Sequence, residues 1–273
     1  MGAHGKGSNS VEAAGARLLS GVSYIGGMVM LLSSAAGWAV RGLRSRKLRF
    51  GREALAKQMV RVGVKSFSIV VLVQVFIGVI LVLELAPPLS DFGQQASIAN
   101  IIGIAGFRML GPIITAVILS GFAGASIAAE LGTMVVSEEI QALEAFALNP
   151  VRYLVVPRVL ATLIMMILLT VIADLAIGLG GWLAAHVAVG PELYVGYWQR
   201  MRDQLKYRDF VTGLIQAGVF GLLISLIACH EGLRVTGGAE GVGRATTMTV
   251  VYSIVAIVVA SCVFTVVFYV FKI

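Results

Sequence analysis

Long stretches of this chain contain no charged residue, among them 18–40, 66–83, 109–129, 159–173, 175–191, 210–230 and 245–271. Roughly 20 apolar residues in a helix cross the hydrocarbon core of a bilayer, so runs of this kind make several membrane spans. Only 13% of the 273 residues are charged and 58% are hydrophobic, against about 25% charged in an ordinary soluble domain. Too little polar surface is left to clothe a water-soluble globule. A transmembrane β-barrel would show short segments of alternating polarity, whereas Val250–Phe271 is apolar on every face. The expected fold class is an all-α polytopic membrane protein.

Charge is placed unevenly. Residues 1–66 hold 11 Lys and Arg against Glu12 and Glu53, and nine of those bases fall between Arg41 and Lys65. Beside a span, such a cluster sets orientation by the positive-inside bias and attracts anionic lipid, which places it in the cytoplasm. No nucleic-acid recognition motif accompanies it, so no nucleic-acid partner is expected. Cys229 and Cys262 both lie inside apolar runs and read as buried small hydrophobes. No cleavable signal peptide is evident.

The first ten residues are polar and rich in Gly and Ser, and read as a flexible tail. Residues 11–40 are long enough to span but diluted by Gly and Ser; taken alone they fit either a span or a helix lying in the interface. Residues 11–65 then comprise this segment and a basic cytoplasmic helix, and 66–273 form the membrane domain. Its first span runs from Ser66 to about Leu85 and ends at Pro87-Pro88. An external loop over about 89–105 leads to a second span near Gly106–Glu130, which Pro112 should bend. Gly121, Ala125 and Ala129, and Gly124, Ala128 and Gly132, recur at four-residue spacing, a pattern that lets helix backbones approach closely.

Next comes SEEIQALEAFALNP, too short to cross a bilayer. It reads as a short amphipathic cytoplasmic helix over about 137–147, with Ser137 as N-cap and Glu138 and Glu139 in the first turn. Ile140, Leu143 and Ala147 share one face, opposite Glu138, Gln141 and Glu144. The stretch Tyr153–Val189 reads as one long or broken third helix containing Asp174. An acid at membrane depth marks either a functional group, as in an ion- or proton-coupled carrier or channel, or a polar contact within the bundle. Gly190–Asp209 reads as an external amphipathic stretch whose Tyr194, Tyr197 and Trp198 form an interfacial belt. A fourth span over Phe210–His230, a Gly-rich turn at Gly237–Gly243 and a fifth span from about Ala245 to Phe271 complete the chain, with Thr246 and Thr247 placed to cap the last helix.

The chemistry that is missing is as informative. No Walker A pattern occurs, so the chain does not by itself cradle a nucleotide phosphate in that manner. His4, His186 and His230 are scattered without metal-ligand spacing, and no nucleophile elbow is present. The chain is expected to be a transport subunit with no catalytic or metal-binding residues of its own.

Two long motifs carry a family likeness. The run GPIITAVILSGFAGASIAAELGTMVVSEEIQALEAFALNPVRYLVVPRVLA (Gly111–Ala161) and the run GGAEGVGRATTMTVV (Gly237–Val251) closely resemble the MlaE-type permeases, the membrane subunits of ABC transporters that move lipids alongside MCE-domain proteins. The resemblance covers roughly 60–271. It implies an N-terminal interfacial elbow helix, five transmembrane helices and a coupling helix between the second and third. It also implies a homodimer, separate ABC ATPase subunits that hold ATP and Mg, and a hexameric MCE protein on the outer side. No cofactor is implied in this chain. The coupling helix, with Glu138, Glu139, Ile140, Leu143 and Glu144, would dock into the ATPase. Leu81, Leu89, Phe92 and Arg108 match positions that line the family's lipid cavity. The implied location is the bacterial inner membrane, with the N-terminus cytoplasmic and the C-terminus periplasmic.

Two departures stand out. Met109 follows Arg108 where family members often carry an acid, and Gln216-Ala217 replaces a Lys-Ser pair common in span four. Both remove charge from the cavity region, so the resemblance does not fix the lipid species. Arg108 reads either as a headgroup contact or as the ion-pair partner of Asp91 or Glu84.

Overall fold

The computed structural model describes residues 5–44 and 52–271. The start of the expected tail (1–4) and a part of the basic segment (45–51) lie outside the described residues. Among those described, the chain is almost wholly helical and contains no strand. Six helical stretches are long and apolar enough to cross a membrane: Gly21–Arg41, Glu53–Asp91, Gln95–Val136, Val151–Val189, Tyr207–Leu233 and Gly238–Phe271. This is a polytopic all-α architecture.

The elements are α1 (Gly5–Arg44), α2 (Arg52–Met59), α3 (Lys65–Asp91), α4 (Ile98–Ala105), α5 (Gly111–Leu119), α6 (Ala125–Val136), α7 (Glu139–Ala145), α8 (Val156–Ala184), α9 (Pro191–Tyr194), α10 (Tyr197–Gln204), α11 (Tyr207–Leu233) and α12 (Gly238–Phe271). Five-residue π-helical turns join α2 to α3, α4 to α5 and α5 to α6, and flank α8 on both sides. The turn at Gly106–Leu110 immediately precedes Pro112. The proline lacks the N–H that would close the next α-turn, and the widened turn absorbs the defect.

Helix α8 packs along α3 on one side and α11 on the other. Glycines set the distance between α3 and α8: a Cβ on Gly78 would overlap the Ile177 carbonyl, and one on Gly180 the Val75 carbonyl. In hydrocarbon, where burial against lipid gains little, such close backbone contact supplies the packing energy that holds helices together. Of the two small-residue rows that run from the preceding π-helical turn into α6, the row of Gly124, Ala128 and Gly132 is the packed one, against α11 and α12. Gly121 faces open space.

Three apolar clusters stack along the bundle. The central one joins Val70, Leu119, Met166, Phe220 and Ile257. At the end carrying α7 lies a second, with Ala35, Leu131, Val156 and Leu226. The opposite end holds the third, with Val82, Ile98, Phe107, Ile177 and Tyr197. Both Tyr24 and Trp38 of α1 meet groups at the α7 end: Tyr24 the His230 ring, Trp38 the Arg152 guanidinium.

Several boundaries differ from the sequence reading. Helix α3 runs through Pro87 and Pro88 to Asp91. Proline already has a helical φ, and these two sit in the last turns, where the carbonyls they leave unpaired can face water. The loop expected over 89–105 is mostly helix, because Ile98, Ala99 and Ile102 are apolar at helical spacing and bury completely. The Gly-rich turn is confined to the residues before Gly238: Gly237 and Gly238 adopt φ of 88° and 69°, and Gly241 and Gly243 already belong to α12. Thr246 and Thr247 therefore do not cap the helix; their hydroxyls donate back to the Gly243 carbonyl at 2.6 and 3.2 Å. Tyr197, expected in an interfacial belt, is fully buried, with its hydroxyl against Gly181.

Candidate functional site

Arg108 stands on the π-helical turn ahead of α5. Its Nη1 donates to Asp209 Oδ1 at 3.1 Å, and its guanidinium lies 4.8 Å from the Phe268 ring centroid. Asp209 also accepts the Lys206 N–H at 3.2 Å through its other oxygen, so one carboxylate both caps α11 and balances the arginine. The ion-pair partner is Asp209, not the Asp91 or Glu84 of the sequence reading. A Lys-x-x-Asp spacing at the start of span four was the available signal, and it points to a cap rather than to Arg108.

Arg108 lines a cavity of about 690 Å³ with Met109, Gln216, Thr265, Phe268, Tyr269 and Val270. Both departures from the family pattern, Met109 and Gln216, thus border the same space. A second cavity, about 420 Å³, shares Met109 and Thr265 with the first and adds Ile113, Val258, Ser261, Cys262 and Val266. The arrangement is one arginine beside two mostly apolar hollows that share Met109 and Thr265. Hollows of this kind suit an amphiphile whose charged end stays beside the guanidinium.

Leu81, Leu89 and Phe92 do not line this space within one chain. Leu81 and Leu89 are half-buried against the cluster of Val82, Ile98 and Ile177, and Phe92 is 79% exposed.

At the opposite end, α7 is shorter than expected. Its N-cap is Glu138, in the left-handed region at φ 60°, and the Ser137 hydroxyl turns back to donate to the Thr133 carbonyl at 2.9 Å. The hydroxyl lies within reach of the end of α6 and, at 3.3 Å, of the Glu139 carboxylate, and it caps no backbone N–H of α7. Ile140 and Leu143 pack on the bundle, while Glu138, Glu139 and Glu144 face outward. Ala147, expected on the apolar face, lies beyond the helix at φ 56° and is exposed. Phe146, which the sequence reading passed over, is 78% exposed next to the acidic face.

Just inside the bundle from α7, Glu130 bridges two arginines: Arg61 at 2.6 Å and the buried Arg158 at 3.1 Å. The triad ties the π-helical turn before α3, α6 and α8 together. Asp174 is buried midway along α8, with Oδ1 in the notch left by Gly111; close by, Gln74 Nε2 donates to the Gly111 carbonyl and to Thr115. Asp174 Oδ1 is buried without a hydrogen-bond partner among the described residues.

The sequence profile of the family described as Permease MlaE matches residues 55–267. This chain belongs to the MlaE permease family. A probable ABC transporter permease protein of Rickettsia felis is 36% identical over 215 residues, covering 79% of this chain and 83% of the relative. The intermembrane phospholipid transport system permease protein MlaE of Haemophilus influenzae is 33% identical over 200 residues, 73% of this chain and 76% of the relative. The chloroplastic protein TRIGALACTOSYLDIACYLGLYCEROL 1 of Arabidopsis thaliana is 33% identical over 204 residues, 75% of this chain and 58% of the relative. The matched region takes in Arg108, Glu130, α7 and nearly all of α12, so the chain is the membrane-embedded permease subunit of a transporter.

Proposed function

We propose that the chain is the permease of an ATP-driven lipid transporter that moves phospholipid or a related lipid between the bacterial inner membrane and an MCE-domain protein. The observation that carries this reading is the Arg108 cavity with its apolar extension, in a chain one-third identical to a phospholipid transport permease. Two copies would pair so that their cavities meet, two ABC ATPases holding ATP and Mg would sit beneath, and a hexameric MCE protein would receive or deliver lipid outside.

In this arrangement the α7 end is cytoplasmic, the C-terminus periplasmic and the N-terminus cytoplasmic. Helix α1 is then an interfacial elbow rather than a sixth span, a reading supported by Tyr24 and Trp38 both meeting groups at one end of the bundle. Helix α7 is the coupling helix: Glu138, Glu139, Glu144 and Phe146 offer the ATPase an acidic surface with one aromatic anchor, while Ile140 and Leu143 fix it to the bundle.

The test is to count lipid retained by the purified permease with Arg108 intact and as Arg108→Ala. Loss of retained phospholipid with normal assembly is expected; unchanged occupancy in a folded variant contradicts the assignment.

A further inference from the structure

The glycine-rich motif at the start of α12 closes a second charged cavity, at the opposite end of the bundle from Arg108. It holds about 320 Å³ and lies between α1, the end of α11 and the first turns of α12. Tyr24, Glu231, Arg234, Arg244, Met248 and Tyr252 supply its chemistry. Gly241 lets α12 begin tightly against the wall, since a Cβ there would overlap the Thr236 carbonyl.

Three features define what this space accepts. Arg234 is oriented by a 3.1 Å hydrogen bond between its Nη1 and His230 Nε2, and neither Arg234 nor Arg244 makes an ion pair among the described residues. With Glu231 as the opposing charge, the cavity keeps one positive charge in excess. Tyr24 sits edge-on between His230 and Tyr252, at 4.7 and 5.5 Å, with its hydroxyl buried and facing Glu231. Finally, the cavity opens onto an apolar strip of α12: Met248, Tyr252, Val255 and Val259 follow one another at four- and three-residue spacing, and the last three are exposed.

An inorganic anion would match the arginines but leave the strip unused. An amphiphile with a phosphate head and acyl chains matches both, because guanidinium groups bind phosphate oxygens in pairs and the strip offers the chains an apolar track. We propose that this cavity binds the phosphate of a lipid headgroup in the leaflet at the α7 end, held by Arg234 and Arg244, with the chains along the Met248–Val259 face of α12. The assignment rests on the reading of the chain as a lipid permease, and it gives that permease a headgroup contact in each leaflet.

The experiment uses the full chain in nanodiscs of phosphatidylcholine doped with phosphatidylglycerol, without ATPase or nucleotide, followed by release into detergent and native mass spectrometry of retained lipid. Arg234→Gln/Arg244→Gln should weaken retention at this site at least about tenfold, since a charge-assisted hydrogen bond contributes about 1.5–3 kcal/mol and 1.4 kcal/mol is tenfold. Lipid retained through Arg108 should be unaffected. Arg234→Lys/Arg244→Lys, which keeps the charge but loses the planar fork, should fall between the two and serves if the Gln variant does not fold. Excess inorganic phosphate should not displace the lipid. Equal retention in the wild-type chain and the folded variants would overturn the site, and full displacement by inorganic phosphate would overturn its assignment to a lipid. Repeating the Gln substitutions in the Arg108→Ala background reads this cavity alone, so failure here leaves the cavity at Arg108 to stand or fall by its own test.

Discussion

Glu130 shows how a single residue decides the stability of one end of the bundle. Its carboxylate faces Arg61 and the buried Arg158, so Glu130→Ala leaves Arg158 as an uncompensated buried charge. Removing one member of a buried pair costs about 3–5 kcal/mol, and since Glu130 is itself 29% exposed the lower part of that range is expected. Denaturation in mixed micelles measures it, with Glu130→Gln expected to be milder because it can still accept hydrogen bonds. Gly180 makes the same point through shape. Gly180→Ala would push a methyl into the Val75 carbonyl, and overpacking of this kind costs about 1–3 kcal/mol, readable as a lower denaturation midpoint for the assembled permease.

At the scale of elements, α7 is short and strained at both ends. Glu138 and Ala147 hold φ of 60° and 56°, and the left-handed region costs a residue with a Cβ about 1–2 kcal/mol. Ala147→Gly should therefore raise the protection of α7 amides against hydrogen exchange without changing docking, whereas Glu138→Lys/Glu139→Lys should leave the fold intact and weaken co-purification of the ATPase. Phe146→Ala should weaken it as well. Unchanged association in both the Glu138→Lys/Glu139→Lys and the Phe146→Ala variants would remove α7 from the interface. The existence of α7 was legible from its acidic and apolar periodicity. Its cap was not, because the Ser137 hydroxyl had two backbone ends within reach and a sequence does not say which it satisfies. Pro87-Pro88 misled for a related reason: near a helix end the missing N–H groups cost little, so the usual terminator failed to terminate.

Over the whole molecule, the spans and the charge asymmetry were readable because they depend on composition averaged over twenty residues. Arg108 was singled out by the family resemblance, not by any local pattern of its own. What the sequence concealed were contacts between distant segments: Arg108 with Asp209, Glu130 with Arg61 and Arg158, and Tyr24 over the Arg234 and Arg244 cavity. Each joins residues more than twenty positions apart, and no periodicity encodes them. Asp174 illustrates the reverse case, a residue conspicuous in sequence that the fold encloses beside Gly111 and Gln74.

Lipid movement by this chain is expected to require a coupled ATPase, and reconstitution in proteoliposomes decides the matter. The permease is reconstituted with and without its ATPase, and transfer of a fluorescent phospholipid is followed on addition of ATP or of a proton gradient. Transfer that requires both ATPase and ATP, and that falls in Arg108→Ala, is the expected result. Flux of ions or lipid driven by the proton gradient in the permease alone, and abolished by Asp174→Asn, would contradict it.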